Sequence, residues 1–391
     1  MKSKLLGHSA NDLFWFILPL VLPALLARYD LNFTQAGGIL TIYLLFTAAG
    51  SFVIGRLSDK MSRKLIMSYG FLLSAAGLIA SSFAPNLPTF LVLISVTAIG
   101  VSTFHPVMYA VIDETYTVNK SRVLGLYECF GTAAILLMFL VNGFLLSRIG
   151  VRGVLIVTAV PAVIMGVVYR LSDSINDASP EYLNEGRAAR NGKRLERGEA
   201  VKFSLFLFSV ILRVISVTAV LNFLPTIFVK FFGMPESRAA YATAFFFVGG
   251  IAGSLVAGKL SERFNSFGII MISTVFIGLI MLILSGSFPV WIYLIIIALF
   301  GAFASGCIIN QNLLMSRLGG ALGKGELFGI LMGTMTVTTA LSPLLFGLVI
   351  DYSGYRQALY LFSLPLVVSV VILGWLLKSD HRVNQAVEVS L

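Results

Sequence analysis

The sequence predicts an all-α polytopic membrane protein, with twelve transmembrane helices in two pseudo-symmetric six-helix halves. Three observations predict it. The 391 residues are 58% hydrophobic and only 12% charged, with mean hydropathy +0.93. Soluble domains carry about a quarter charged residues, so this much apolar surface needs the bilayer as solvent. The apolar stretches are continuous rather than alternating, which selects helices over a closed barrel, the two structures that satisfy their own backbone in lipid. Finally, the charges cluster between the stretches and fall unequally on the two sides they define.

Taken in order, apolar runs are marked at about 12–28, 36–57, 65–84, 88–112, 122–147 and 153–172, then at about 203–231, 239–260, 267–287, 289–316, 325–350 and 357–377. Each is long enough, at 1.5 Å per residue, to cross the hydrocarbon core. Residues 1–172 form the N-terminal half and 203–378 the C-terminal half. Between them lies a polar stretch, 173–202, expected to be a solvated linker, and 379–391 is expected to be a tail. The opening "MKSKLLGHSAND" has no small-residue cleavage site, so it is not expected to be a removable signal. With the N-terminus in the cytoplasm, 21 of the 28 lysines and arginines fall on the cytoplasmic side, six on the other, and Arg213 alone inside a run. That positive-inside bias puts both termini in the cytoplasm and explains the net charge of +10 without nucleic acid. Cys129 and Cys307 sit inside apolar runs with no metal-ligand spacing, so neither a disulfide nor a metal is expected.

The middle helix of each three-helix unit ends alike: "GRLSD" (55–59), "GFLLS" (143–147), "GKLSE" (258–262) and "GLVID" (347–351). Consecutive units enter the membrane from opposite sides, the inverted-repeat plan of secondary transporters. "GRLSDKMSRK" (55–64) resembles motif A of the major facilitator superfamily at Gly55, Asp59, Lys60, Arg63 and Lys64, with Ser62 in place of the second glycine. "GHSANDLFWFILPLVLPAL", "LNFTQAGGI", "FHP" (104–106) and Arg213 resemble the fosmidomycin-resistance-type exporters within it. The resemblance implies two halves rocking around a midplane cavity, and a cytoplasmic gate at Gly55, Asp59, Arg63, Lys64 and Asp113. There, Gly55 would permit a close helix approach. Asp59 would face the start of helix eleven near Gly325. Arg63 and Lys64 would pair with Asp113 and Glu114. Two antiporter features are missing: Val96 stands where many drug–proton antiporters carry arginine, and the fifth run lacks their Gly-Pro signature.

Ionisable groups at membrane depth are costly and usually face a cavity. Arg213 lies near the midplane of the seventh run, where it would hold an anionic substrate or neutralise Glu128 or another acid. Glu128 could carry a proton or sit in a fixed pair. Asp12, beside Asn11, is either an N-cap at the membrane surface or a coupling residue. His105, before Pro106, is either a packed core histidine or a proton carrier, and Glu114 is a further candidate carrier. Asn222 and Tyr109 are expected to line the cavity with Arg213 and Glu128. Asn310, Gln311 and Asn312 are expected at the cytoplasmic gate or mouth.

No nucleophile–base pair, phosphate loop or metal cluster is visible, so the chain is not expected to be an enzyme or to use a cofactor. The expected activity is proton-coupled export of a small, anionic organic compound or drug by alternating access. It is expected to be a monomer in the bacterial inner membrane, with a small-molecule substrate, protons and lipid as its partners. Metabolite uptake or uniport, a lipid flippase, and a non-transporting sensor derived from a transporter remain alternatives.

Overall fold

A computed structural model describes residues 2–58, 60–116, 120–171, 196–318 and 324–390. They form twelve helices: α1 Lys2–Tyr29, α2 Phe33–Leu57, α3 Arg63–Ser82, α4 Leu87–Val101, α5 Phe104–Thr115, α6 Lys120–Leu171, α7 Arg197–Lys230, α8 Glu236–Leu260, α9 Ser266–Leu284, α10 Val290–Leu318, α11 Lys324–Ser353 and α12 Tyr355–Ser390. Two departures from the run-by-run expectation cancel. The fourth run is broken into α4 and α5 by a turn at Ser102 and Thr103. The fifth and sixth runs join in α6, where Gly150 (φ 64°, ψ −176°) interrupts the helical backbone. That backbone suits a residue without a Cβ, and it divides α6 into two limbs. Eleven helical stretches, with α4 and α5 counted together as Leu87–Ile112, are long and apolar enough to cross a membrane. Counting the limbs of α6 separately gives twelve crossings among the described residues.

Local sequence sets the ends. Asn32 caps α2 in a capping box, accepting from the Gln35 amide at 2.8 Å while its own amide donates to Gln35 Oε1 at 3.1 Å. Asn86 and Asn265 cap α4 and α9. The largest difference is in α1, which starts at Lys2, ten residues before the apolar run. The polar segment stays helical because its side chains find partners: buried Lys4 donates to Thr115 Oγ1 at 3.1 Å, and Tyr169 donates to the Ser3 carbonyl at 2.9 Å. Asp12 is therefore mid-helix, and the N-cap expectation is corrected.

The chain divides into two compact units. The first holds residues 1–185 together with 222–247 and 343–348, so it is the expected N-terminal half plus short pieces of α7, α8 and α11. Small residues let its helices meet: a Cβ on Gly100 would stand 2.6 Å from the Gly70 carbonyl oxygen, and one on Gly77 would stand 2.7 Å from the Thr97 amide. The second unit holds 186–221, 248–342 and 349–391. In it, Gly249 and Gly253 of α8 lie against the backbone of Ala298 and Ala302 of α10. The expected linker lies mostly outside the described residues, and α12 continues through the expected tail to Ser390.

Candidate functional site

In the first unit the helical period of α1 puts His8, Asp12 and Trp15 on one face. That of α5 puts His105 and Tyr109 together, and the first limb of α6 brings Tyr127 and Glu128. The Asp12 carboxylate is shared by two imidazoles: His8 Nε2 stands 2.8 Å from Oδ2 and His105 Nε2 stands 3.2 Å from Oδ1. Trp15 donates from its indole nitrogen to the same His105 Nε2 at 3.2 Å. Tyr109 donates to Glu128 Oε1 at 2.5 Å, and its ring stacks on His105 with centroids 5.9 Å apart. The Tyr127 ring lies 3.6 Å from that of His8. Gly131 makes this packing possible, because a Cβ there would collide with Asp12 Oδ2 and His8 Nε2. Exposure falls along the row: Tyr109 is 41% exposed and Glu128 is exposed, the side chains of His105 and Asp12 are 22% and 13% exposed, and His8 is 1% exposed. Acid and imidazole groups thus run from the open face of the unit into its core.

His8, Asp12 and His105 also meet the spacing of metal ligands, with one ligand atom from each within 4.8 Å of the others. They do not fit a cation well. The Trp15 N–H points at the nitrogen a metal would need from His105. Both Nδ1 atoms lack the partner that ordinarily orients a ligating imidazole.

In the second unit Arg213 is 3% exposed and donates from Nη2 to Gln311 Oε1. Gln311 also lies 3.1 Å from the Met335 sulfur. Arg213 Nη1 is buried without a hydrogen-bond partner, and Arg213 forms no ion pair among the described residues. Below it on α7, Thr218 and Ser342 hydroxyls are 2.7 Å apart. Gln311, expected with Asn310 and Asn312 at the cytoplasmic gate or mouth, is 1% exposed and partners the buried guanidinium, and Asn310 is fully buried. Asn222 is buried nine positions after Arg213 on α7, within the piece of that helix that belongs to the first unit.

At the expected gate, Arg63 opens α3, is fully buried, and pairs through Nη1 with Glu114 Oε2 at 2.6 Å. Lys64 follows it, half-buried. Asp59 lies outside the described residues, as does the side chain of Asp113. Gly55 does not mark the close approach expected of it, since a Cβ there would lie 3.8 Å from Pro106 Cβ, an ordinary contact. A separate cavity of about 410 Å³ between α1 and both limbs of α6 is walled by apolar side chains such as Leu13, Leu137, Met138 and Val157, and offers a charged substrate no ionic partner.

Three participants were not found by sequence reasoning. His8 was read as part of the segment before the first apolar run and Trp15 as part of that run, although His8 and Asp12 already show helical i, i+4 spacing. Tyr127 was passed over as an apolar-run aromatic.

Acids, imidazoles and a guanidinium are thus set on helices long and apolar enough to cross a membrane. The chain belongs to the Major Facilitator Superfamily, whose model matches residues 5–325 and 206–389. A putative metabolite transport protein of Haemophilus influenzae is 22% identical over 382 residues, covering 93% of this chain and 92% of that protein. The benzoate transport protein of Acinetobacter baylyi is 22% identical over 418 residues, covering 96% of this chain and 88% of that protein. Two Bacillus subtilis proteins match over shorter stretches: the uncharacterised YwoD at 26% identity and the putative niacin/nicotinamide transporter NiaP at 29%. The chain spans only 36% and 37% of their lengths. Among solved structures, a D-xylose–proton symporter superposes with TM-score 0.79 at 15% identity, covering 95% of each chain. A bacterial homologue of the lysosomal transporter Spinster gives 0.75 at 15% identity, covering 96% of each. These structures share the fold.

Proposed function

We propose that this transporter carries a small organic anion, coupled to protons, by alternating access. The observation that carries the anion is Arg213. Burying an unneutralised guanidinium is costly, and Gln311 supplies an oxygen but no charge. A carboxylate or phosphonate would complete the site with a planar, two-point bond. The relatives named for benzoate and for niacin are consistent with a small organic acid. Proton coupling is supported by two titratable groupings of the first unit, Tyr109 with Glu128 and the Asp12 carboxylate shared by His8 and His105, with the Tyr109 and His105 rings in contact between them. Arg63, Lys64 and Glu114 form the cytoplasmic gate, with Asp59 and Gly55 by their place in motif A and Asp113 by its place beside Glu114. Asn222 lines the substrate path. The likeness to fosmidomycin-resistance-type exporters supports outward transport, and the Lys/Arg bias supports both termini in the cytoplasm; the transporter is read as a monomer.

Matched pairs of acid and amide test the anion. Benzoate and nicotinate are expected to raise the melting temperature of the purified protein, while benzamide and nicotinamide do not. In Arg213→Ala the acids lose their effect. Equal shifts from acid and amide, or an undiminished acid shift in Arg213→Ala, would rule out Arg213 as the anion anchor.

A further inference from the structure

His105 Nε2 stands within 3.2 Å of two groups that it cannot satisfy at once, the Trp15 N–H and Asp12 Oδ1. An imidazole nitrogen carries either a lone pair or a proton. With a lone pair it accepts from Trp15 and faces the carboxylate oxygen repulsively. With a proton it donates to Asp12 and repels the Trp15 N–H. We propose, resting on the proton-linked reading above, that Trp15 is the positioning residue of the proton site: it holds His105 when the site is empty and releases it to Asp12 when a proton arrives. One proton enters, the Trp15 N–H···Nε2 bond breaks, and one Nε2–H···Oδ1 bond forms. The proton returns to water when the exchange reverses.

The surroundings suit this exchange. His8 grips the other carboxylate oxygen at 2.8 Å, so Oδ1 stays aimed at His105. Asp12 Oδ1 and His105 Nδ1 are both buried without a hydrogen-bond partner, which leaves the Oδ1–Nε2 contact as the place for a proton. Titratable groups near His105 are His8 and Asp12 on α1, Tyr109 on its own helix, and Tyr127 and Glu128 on the first limb of α6, while α2, which also packs on α5, carries Arg56 in its last turn over the Phe52 ring. Tyr169 of the second limb reaches it through Phe104. Arg63 of α3 is held at the far end of α5 by Glu114. Trp15 is the neighbour that contributes a fixed neutral donor, so it favours only the proton-free state.

The protein's three tryptophans are Trp15, Trp291 and Trp375, and the last two are 62% and 51% exposed. Replacing them by phenylalanine leaves Trp15 as the reporter, read in liposomes without any substrate. Its emission is expected to pass through a single transition with pH. His105→Gln abolishes that transition, and Asp12→Asn moves it to lower pH because the partner of the loaded state is lost. Trp15→Phe removes an interaction of the proton-free state only, so the pH profile of transport moves up by about half to one pH unit. Emission independent of pH, a transition that survives His105→Gln, or a pH profile unmoved in well-folded Trp15→Phe would overturn the proposal. Transport that ignores the pH gradient while the Trp15 transition persists would remove the coupling and leave the partner exchange standing.

Discussion

A guanidinium buried beside a carboxamide keeps its full charge, and the molecule supplies it no acid among the described residues. Arg213→Lys keeps the charge and gives up the planar fork, so binding of a carboxylate is expected to weaken about tenfold, roughly 1.4 kcal/mol, in a direct binding measurement. Arg213→Ala should lose anion binding with little loss of melting temperature, because removing an unneutralised buried charge removes its desolvation cost as well. A large fall in melting temperature would mean that Arg213 is a structural element. Glu128 and Asp12 are separable by chemistry of the same kind. Glu128→Gln still accepts from Tyr109 through its amide oxygen, and Asp12→Asn still accepts from His8, so folding persists while the titrating oxygen is lost. Both variants should retain downhill exchange of labelled substrate and lose accumulation driven by a pH gradient. Wild-type accumulation in both would move coupling to Glu114 or to the histidines.

Among the elements, the four repeated helix ends are not equivalent. A Cβ on Gly143 would stand 2.9 Å from the Tyr241 ring and 3.1 Å from Ala240 Cβ, and one on Gly347 would collide with the Phe33 carbonyl. Gly55 meets only Pro106 at 3.8 Å, and Gly258 meets nothing within 4 Å. Gly347→Val is therefore expected to destabilise the protein by about 1–3 kcal/mol, visible as a lower melting temperature, while Gly258→Val leaves it unchanged. Equal melting temperatures would show that α11 and α2 part without cost. The repeat of helix ends was legible in the sequence because spacing records it. Which copies are crowded was not, because crowding depends on the helix that packs opposite. The start of α1 escaped notice for a related reason: hydropathy reads His8, Asn11 and Asp12 as polar, whereas in the fold they are partnered or buried. Their i, i+4 spacing was visible, but the partner His105 lies 93 residues beyond Asp12, on another helix. Arg63 and Glu114 were paired correctly from sequence because both sit at helix ends fixed by the spans. The partner of Gln311 was not legible, because distance along α10 does not reveal that Arg213 of α7 faces it.

For the whole molecule, twelve crossings and two halves followed from run lengths and the one long polar stretch, properties that the bilayer imposes and that need no knowledge of packing. Orientation is expected from the Lys/Arg bias alone. In a background with Cys129 and Cys307 replaced by serine, Gly198→Cys is expected to resist a membrane-impermeant thiol reagent in intact cells. Tyr352→Cys, at a site 93% exposed, is expected to react. The opposite pattern would invert the molecule. Coupling is tested most directly in proteoliposomes carrying an imposed pH gradient, with the acid that best stabilises the purified protein as labelled substrate. The predicted result is uphill movement of that acid in wild type, abolished by collapsing the gradient, by Arg213→Ala and by Glu128→Gln. Movement that only ever follows the substrate's own gradient, or that continues uphill in both variants, would contradict proton-coupled anion transport.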